Sequence, residues 1–303
     1  MTHRNGLLHA ASRTLAGLLC AAFIFPAHAG QKEAEAAMEK KDYATAMKEW
    51  RALADKGNAD AQFHVGQMLG LGLGVEIDNK AAIAWYQKAA QQKHDVAAYS
   101  LSLAYTQGVG VAEDKAAALE WLKTSAALGF ARAQNDMGDR YYYGNQVPQS
   151  YQEAMAWYRK AADQNLAAAQ YNIGYLLANG EGVTANPDEA SKWYLKAAEQ
   201  GHELAQGELG VYYMRQAKFE EGVQWLNKAA MGGNSNAMVD LGVAFINSHG
   251  VPQDLVRAYT LMELAGDNPR ALALKPTIGG YLSEAQIKQA VTEALLMGMS
   301  TGR

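Results

Sequence analysis

The chain has 303 residues, of which 49% are hydrophobic and 19% are charged, and its 27 basic and 31 acidic residues give a net charge of −4. This apolar content and only six prolines suit a close-packed helical protein and argue against disorder. A mildly acidic chain without basic blocks argues against nucleic acid and anionic lipid as partners.

Residues 1–29 have the pattern of a secretory signal peptide. The stretch "MTHRNGLLHAASR" carries Arg4 and Arg13 and no acidic residue, and "TLAGLLCAAFIF" supplies an apolar core. "AHA" before Gly30 fits a signal peptidase site. The apolar run is shorter than the roughly 20 residues that span a bilayer, which argues against a membrane anchor. We therefore expect cleavage after Ala29 and a periplasmic or secreted location.

Cys20 is the only cysteine and would be removed with the signal peptide. Leu19 before it is bulky where a bacterial lipoprotein signal has a small residue, so a lipid anchor is not expected. The mature chain, residues 30–303, would enter an oxidising compartment without a disulfide to form, and packing must hold it together. It would keep 25 basic and 31 acidic residues, a net charge of −6. We expect neither nucleic-acid binding nor stable membrane insertion after cleavage.

Residues 30–58 predict an N-terminal capping hairpin. The stretch "KEAEAAMEKKDYATAMKEWRALADKGN" resembles a shorter version of the units that follow. Its Trp50 lies one place beyond the tryptophan position of those units.

A tryptophan recurs at a fixed spacing through the middle of the chain. Trp85, Trp121, Trp157 and Trp193 lie 36 residues apart, and Trp225 follows 32 residues later. This periodicity is the mark of a repeat architecture. It divides the chain into six units, residues 59–94, 95–130, 131–166, 167–202, 203–234 and 235–270. We predict that the five tryptophans are structural anchors between adjacent hairpins.

Each unit predicts two helices, which we call helix A and helix B. Residues 167–180, "AAAQYNIGYLLANG", have apolar residues at helical spacing, and Gly174 would let a neighbouring helix approach closely. After a Gly-bearing loop, "DEASKWYLKAAEQG" carries a broad apolar stripe, with Pro187 suited to the first turn and Gly201 to the end. One hairpin cannot bury both stripes, so neighbouring hairpins must stack.

The stretch "AAAQYNIGYLLANGEGVTANPDEASKWYLKAAEQGH", residues 167–202, resembles the Sel-one-like repeat (SLR) family, a relative of tetratricopeptide repeats. The G-x-G-V loops at residues 72–75, 108–111 and 180–183 add to the resemblance. It implies an all-α, right-handed α-solenoid of stacked helical hairpins, and a scaffold or adaptor role in which the protein binds other proteins. Residues 203–234 depart from the pattern because "YMRQAKFEE" has lost the Gly loop and four residues, which leaves the local curvature open.

Residues 271–303 predict a C-terminal capping helix and tail. Ser283 and Gln286 have the spacing of a capping box. An apolar face follows, which we expect to cover the last repeat; its residues are Ile287, Ala290, Val291, Ala294 and Leu295.

The sequence gives little indication of catalysis or metal binding. The histidines after residue 30 show no H-E-x-x-H or i, i+4 pairing; they are His64, His94, His202 and His249. The glycines of "LGLGLGVE", residues 69–76, join two helices and do not follow a strand, unlike a dinucleotide-binding loop. No serine lies in a G-x-S-x-G elbow. We therefore predict no catalytic residue, no metal site and no cofactor.

Candidate partner-binding residues lie at helix A positions where the units differ. By analogy with related helical repeats, helix A lines the concave face, and "DRYYYGNQ", residues 139–146, departs furthest from its siblings. Tyrosine and arginine are frequent in interface hot spots. The alternative is that these tyrosines merely cover the loop or follow the family consensus. The predicted binding residues are Arg132, Asp139, Tyr142, Tyr143, Tyr175, Asn179 and Arg215.

Together these observations favour an exported, non-catalytic and monomeric scaffold that binds a protein or peptide. One alternative is an envelope hydrolase acting on a cell-wall or β-lactam substrate. A β-lactamase-like activity is ascribed to cysteine-rich members of the family, but their paired cysteines are absent from this chain. A second alternative is recognition of cell-wall polysaccharide by an aromatic-lined groove.

Overall fold

The computed structural model describes residues 29–300, so the predicted signal peptide lies outside the described residues except for Ala29, as do residues 301–303 of the predicted tail. Within the described range all regular structure is α-helical. The helices are α1 (Ala29–Glu39), α2 (Tyr43–Ala54), α3 (Ala59–Leu71), α4 (Asn79–Gln91), α5 (Asp95–Gln107), α6 (Lys115–Leu128), α7 (Ala131–Tyr143), α8 (Tyr151–Ala162), α9 (Ala167–Asn179), α10 (Pro187–Glu199), α11 (Glu203–Arg215), α12 (Phe219–Gly232), α13 (Ser235–Asn247), α14 (Leu255–Leu264), α15 (Pro269–Gly279) and α16 (Glu284–Ser300).

The helices pair into consecutive hairpins that pack on their neighbours in sequence. Helices α3 and α4 form one hairpin and α5 and α6 the next, and α4 also packs against α5. The same pattern holds for α9 and α10, which stack on α11 and α12. The predicted fold class, an α-solenoid of stacked helical hairpins, is confirmed.

The chain falls into two compact units, one up to Met137 and one from Gly138. In the first unit, buried clusters form around Trp50 and Met68 and around Leu101. In the second unit, they form around Ile173 and Leu209 and around Met262. Each buried cluster involves residues from successive hairpins, which is what stacking requires.

Polar side chains begin most of the helices. The oxygen of an Asp, Asn or Ser accepts a hydrogen bond from a backbone N–H in the first turn of helix B; these residues are Asp78, Asp114, Ser150, Asn186 and Asp254. Pro187 occupies the start of α10, as predicted. In the shortened fifth repeat, α12 begins after Lys218 with no side-chain cap, yet α11 and α12 still pack as a hairpin.

The G-x-G loops place each turn against the preceding hairpin. Gly180 ends α9 with φ of 71°, a left-handed conformation that glycine adopts without strain. Gly182 has φ of 72°, and a Cβ atom there would lie 2.5 Å from Cβ of Tyr151 at the start of α8. Only glycine therefore allows this loop to lie on the start of α8, in the preceding hairpin.

A glycine on helix A faces a buried side chain on helix B of the same repeat, and we call this repeated contact the glycine–ring seam. A Cβ atom on Gly174 would lie 2.7 Å from Cδ1 of Tyr194, so the predicted close approach at Gly174 is confirmed. The seam also contains the pairs Gly66–Tyr86, Gly138–Tyr158, Gly210–Leu226 and Gly242–Met262. All these helix B residues are buried, although the last two are not aromatic. Trp50 lies 36 residues before Tyr86 and is almost completely buried in the corresponding position.

The five predicted tryptophan anchors lie one residue before the seam position. Trp85 is buried, whereas Trp121, Trp157, Trp193 and Trp225 are half-buried. In four repeats a lysine three residues later places its ammonium over the indole, at 3.9 Å for Lys88, 3.8 Å for Lys160, 4.1 Å for Lys196 and 3.9 Å for Lys228. The next residue of helix B, at the seam position, is more deeply buried than the tryptophan.

The C-terminal helix packs against α14, the second helix of the last repeat. The predicted capping box is confirmed, because the Ser283 backbone N–H donates to Gln286 Oε1 at 2.9 Å and the Gln286 N–H donates to Ser283 Oγ at 3.3 Å. Ala290 and Ala294 are buried. The prediction for Leu295 is wrong, since it is 64% exposed. It lies one turn beyond Val291, which is half-buried.

Candidate functional site

Four tyrosines from three helices form an aromatic group in the second unit, which we call the tyrosine cluster. It consists of Tyr142 and Tyr143 at the end of α7, Tyr151 at the start of α8 and Tyr175 on α9. The rings of Tyr142 and Tyr143 are nearly perpendicular, at 82°, with centroids 4.7 Å apart. The Tyr142 ring also lies 5.4 Å from Tyr151 and 6.3 Å from Tyr175. These distances and angles are those of favourable aromatic pairs.

The aromatic contacts continue along α9. Tyr171 lies four residues before Tyr175 on the same face, with ring centroids 6.3 Å apart. Tyr171 stacks on His202 at 4.9 Å and packs beside Tyr194 at 5.8 Å. The cluster is thus the end of a row of rings that reaches the start of α11.

The cluster combines an exposed ring with rings held in place. Tyr143 is 55% exposed, whereas Tyr142, Tyr151 and Tyr175 are half-buried. Gln149 donates from Nε2 to the carbonyl oxygen of Tyr142 at 2.9 Å and to the hydroxyl oxygen of Tyr151 at 3.3 Å. These bonds and the packing of Tyr142 and Tyr151 on the core pre-organise the surface that Tyr143 presents to solvent.

A carboxylate lies beside the rings. Glu181 follows Gly180 in the G-x-G loop, and its Oε2 atom is buried without a hydrogen-bond partner. Burial, followed by hydrogen bonding to Glu181, raises the pKa of Tyr142. Burial also raises the pKa of Tyr143, with further contributions from Asp139, Tyr175 and Glu181. Both tyrosines therefore stay neutral at physiological pH.

Asp139, one of the predicted binding residues, takes part in the packing of its own repeat. Tyr158 donates from its hydroxyl to Asp139 Oδ1 at 2.7 Å, and Asn172 Nδ2 lies 3.5 Å from the same oxygen. Burial of Tyr158 and the charge of Asp139 raise the pKa of this tyrosine. Asp139 thus satisfies the hydroxyl of a buried seam residue and places a negative charge near Tyr143.

The other predicted binding residues lie in different surroundings. Asn179 is exposed, and its Nδ2 atom donates to the carbonyl oxygen of Tyr175 at 3.0 Å. Arg215 is exposed at the last residue of α11, and Arg132 is exposed in the first turn of α7. The structure therefore brings Tyr142, Tyr143 and Tyr175 together with Asp139 nearby. Sequence reasoning missed Tyr151 and Glu181, because neither lies on the helical face that the periodicity identifies.

The described residues include two notable surface depressions. An open depression of about 610 Å³ lies at the start of α10 and is lined by Asp188, Lys192 and Trp193, among others. A narrow cleft of about 50 Å³ in the first unit is lined by Phe63, Tyr86 and Leu103, among others. Within residues 29–300 no three His, Cys, Asp or Glu side chains are grouped to hold a metal ion. In the same part of the chain, no helix combines the length and apolar character that crossing a membrane requires.

The chain is similar to known proteins in both sequence and fold. The family model of the Sel1 (Sel-one-like) repeat matches residues 59–94, 95–130, 131–166, 167–202, 204–234 and 235–269. The crystal structure of c5321, a protective antigen present in uropathogenic Escherichia coli strains that displays an SLR fold, has 26% identity and a TM-score of 0.71 over 89% of this chain and 68% of that one. A Sel1 repeat protein from Oxalobacter formigenes has 28% identity and a TM-score of 0.69 over 80% of this chain and 98% of that one. No curated protein matches the sequence.

Proposed function

This chain belongs to the Sel1 repeat family, and from this premise we propose that it is a non-catalytic scaffold or adaptor that binds a protein or peptide on its helix A face. Sel1 repeat proteins are generally protein-interaction scaffolds. We further propose that the mature protein works as a monomer in the bacterial envelope or outside the cell. The signal-peptide pattern of residues 1–29 supports this location, and the similarity to a protective antigen of E. coli is in keeping with it.

The observation that carries the proposal is the tyrosine cluster. Three of its rings, Tyr142, Tyr143 and Tyr175, lie at helix A positions where the repeats differ. The position of Tyr142 is occupied in the other repeats by Gly70, Thr106, Ala178, Met214 and Ile246. Since no repeat needs a tyrosine there to fold, the ring is available for recognition, and tyrosine is among the residues that dominate binding energy at interfaces.

Recognition of cell-wall polysaccharide is a second candidate, because tyrosine faces at a surface can also pack on sugar rings. The two functions differ in what the cluster would bind. A protein partner would be captured from envelope extract and identified by mass spectrometry. A polysaccharide would retain the protein directly on insoluble peptidoglycan.

The decisive experiment uses residues 30–303 as bait in envelope extract, with Tyr142→Ala/Tyr143→Ala as the test variant. Tyr281→Ala is the matched control, since Tyr281 is 76% exposed and lies outside the cluster. We expect the parent and the control to capture the same protein and the double variant to lose it. If all three capture it equally, the binding face lies elsewhere. Retention of the parent and the control, but not of the double variant, on peptidoglycan would favour the polysaccharide function.

A further inference from the structure

The electrostatic surroundings of the tyrosine cluster are acidic. Asp139 and Glu181 both act on the hydroxyl of Tyr143, and Glu208 on α11 acts on Tyr171 in the adjoining row. Apart from neighbouring tyrosines, the groups whose charge shifts the pKa values of Tyr142, Tyr143 and Tyr171 are carboxylates. A positively charged group placed on the exposed Tyr143 ring would therefore lie within reach of more than one negative charge.

One oxygen of Glu181 has an unmet interaction, although Tyr142 forms a hydrogen bond with the carboxylate. Its Oε2 atom is buried and has no hydrogen-bond partner, and none of the ion pairs among the described residues includes Glu181. A carboxylate oxygen withdrawn from water without a partner carries a desolvation cost, which a cationic donor would offset. The loop that holds Glu181 cannot easily move to solve this, because Gly182 lies directly against Tyr151.

Neutral tyrosine rings attract cations through the negative potential of their faces, at distances up to about 6 Å from the ring centroid. The chain already uses this interaction within its own helices. The ammonium of Lys160 lies 3.8 Å from the centroid of the Trp157 ring, and Lys196 is placed in the same way over Trp193. The tyrosine cluster offers comparable faces, and the nearby charges of Asp139 and Glu181 are negative.

We propose that the tyrosine cluster, with Glu181 beside it, receives an arginine side chain of the partner. This inference rests on the proposed function, because it specifies what the protein or peptide partner presents. A planar guanidinium can stack on the Tyr143 ring and donate hydrogen bonds to a carboxylate at the same time. An ammonium group cannot do both in one plane, so lysine binds more weakly here.

The test is an NMR titration of residues 30–303 with two small probes, N-acetyl-arginine amide and N-acetyl-citrulline amide, which have nearly the same shape and differ in charge. We expect the ring signals of Tyr142, Tyr143 and Tyr175 to shift saturably with the arginine probe. The citrulline probe should bind at least about tenfold more weakly, which corresponds to the loss of one charge-assisted interaction. Equal binding of both probes, or shifts that bypass these rings, would overturn the inference. Displacement of both probes by the sugar chitotriose, with no difference between the charged and the uncharged probe, would also overturn the inference.

Two variants test the contributions of the Glu181 carboxylate and the Tyr143 ring to arginine binding one at a time. Glu181→Gln keeps the shape of the side chain and should weaken the arginine probe at least about fivefold while leaving the citrulline probe unchanged. Glu199→Gln is the matched control, since Glu199 is exposed on α10. Tyr143→Leu removes an exposed ring and provides a second variant should Glu181→Gln disturb the loop. Unchanged arginine binding in both Glu181→Gln and Tyr143→Leu would also overturn the inference.

The same variants distinguish this inference from the proposed function. A captured partner that is lost with Tyr142→Ala/Tyr143→Ala but retained by Glu181→Gln supports the binding face and refutes arginine recognition. A partner that is retained by the double variant refutes the binding face, whatever the probes show.

Discussion

The third repeat contains two tyrosines in contrasting surroundings, Tyr158 in the glycine–ring seam and Tyr142 in the tyrosine cluster. Tyr158 recurs as Tyr86 and Tyr194 at the same position of other repeats, is almost fully buried, and packs against a helix A glycine. Tyr142 recurs nowhere in its position and lies half-buried among other rings. The difference shows that repeated positions hold hairpins together, while positions that vary between repeats are free to carry recognition.

The largest effect should follow from removing a seam ring. Tyr158→Ala should lower the free energy of unfolding by about 3–5 kcal/mol, because the variant leaves a cavity beside Gly138 and removes the hydroxyl that donates to Asp139. Tyr158→Phe, which keeps the ring, should cost only about 1 kcal/mol. Urea unfolding, monitored by circular dichroism, measures both changes. A Tyr158→Ala variant as stable as the parent would remove the basis of the comparison.

The cluster should behave in the opposite way. Tyr143→Ala should leave stability nearly unchanged, because this ring is 55% exposed. Tyr142→Ala/Tyr143→Ala should nevertheless weaken binding of the captured partner by at least about 2 kcal/mol, the usual threshold for a hot spot. Isothermal titration calorimetry against the purified partner measures this loss. If the double variant unfolds as readily as Tyr158→Ala, the cluster belongs to the core and the contrast between the regions fails.

Adjacent residues on α8 sharpen the distinction further. Trp157 is half-buried, with one face covered by Lys160, whereas Tyr158 is buried. Trp157→Ala should therefore cost about 1–2 kcal/mol, since only part of its apolar area is removed from water. The urea series used for Tyr158 gives the comparison directly. An equal loss at both residues would show that the tryptophan is the deeper anchor.

The N-cap of helix A is a repeated position, and where it is a histidine we expect stability to depend on pH. His202 Nδ1 accepts from the Ala205 N–H at 3.3 Å, and this needs the neutral imidazole. Burial lowers the pKa of His202 from 6.5, so the unfolded chain binds a proton more readily than the folded one. The stability that the His202 cap contributes is therefore fully present above about pH 6.5. It is lost as the pH falls toward the lowered pKa of the folded state. The expected loss is about 1 kcal/mol, the usual value of an N-cap.

The control for this pH effect is present in the chain itself. Asn58, Asn234 and Asn268 cap helices at the equivalent position. His202→Asn should keep the cap and remove this contribution to the pH dependence, as measured by urea unfolding at pH 7.5 and pH 5. His94 caps α5 in the same way, and its Nε2 lies 3.4 Å from Asp60 Oδ1. An unchanged pH dependence in His202→Asn would refute this contribution of the cap.

The periodicity of the sequence was sufficient to predict the hairpins, because each helix shows its apolar stripe and its end signals. Pro187, Gly180 and the Ser283 capping box all lie where local rules put them. The depth of burial was harder to predict. Trp157 and Tyr158 are separated by only about 100° around the helix and both belong to the apolar stripe, so their side chains alone do not show which one points inward.

The grouping of residues at the candidate site could be predicted only in part, for a related reason. Tyr142, Tyr143 and Tyr175 differ from their counterparts in other repeats, and that difference was visible in the sequence. Glu181 and Tyr151 were not identified because their positions depend on how the G-x-G loop lies on the preceding hairpin, where Gly182 contacts Tyr151, 31 residues before it. No helical period reports such a contact.

The lysines over the tryptophan rings also bear on how the protein behaves at high concentration. Lys160, Lys196 and Lys228 each cover one face of a half-buried indole with a strongly hydrated ammonium group. An uncovered aromatic face repeated along a surface favours self-association between molecules. Each lysine therefore keeps the tryptophan beneath it from contacting another molecule. Acetylation of these lysines would promote aggregation while the hairpins themselves remain folded.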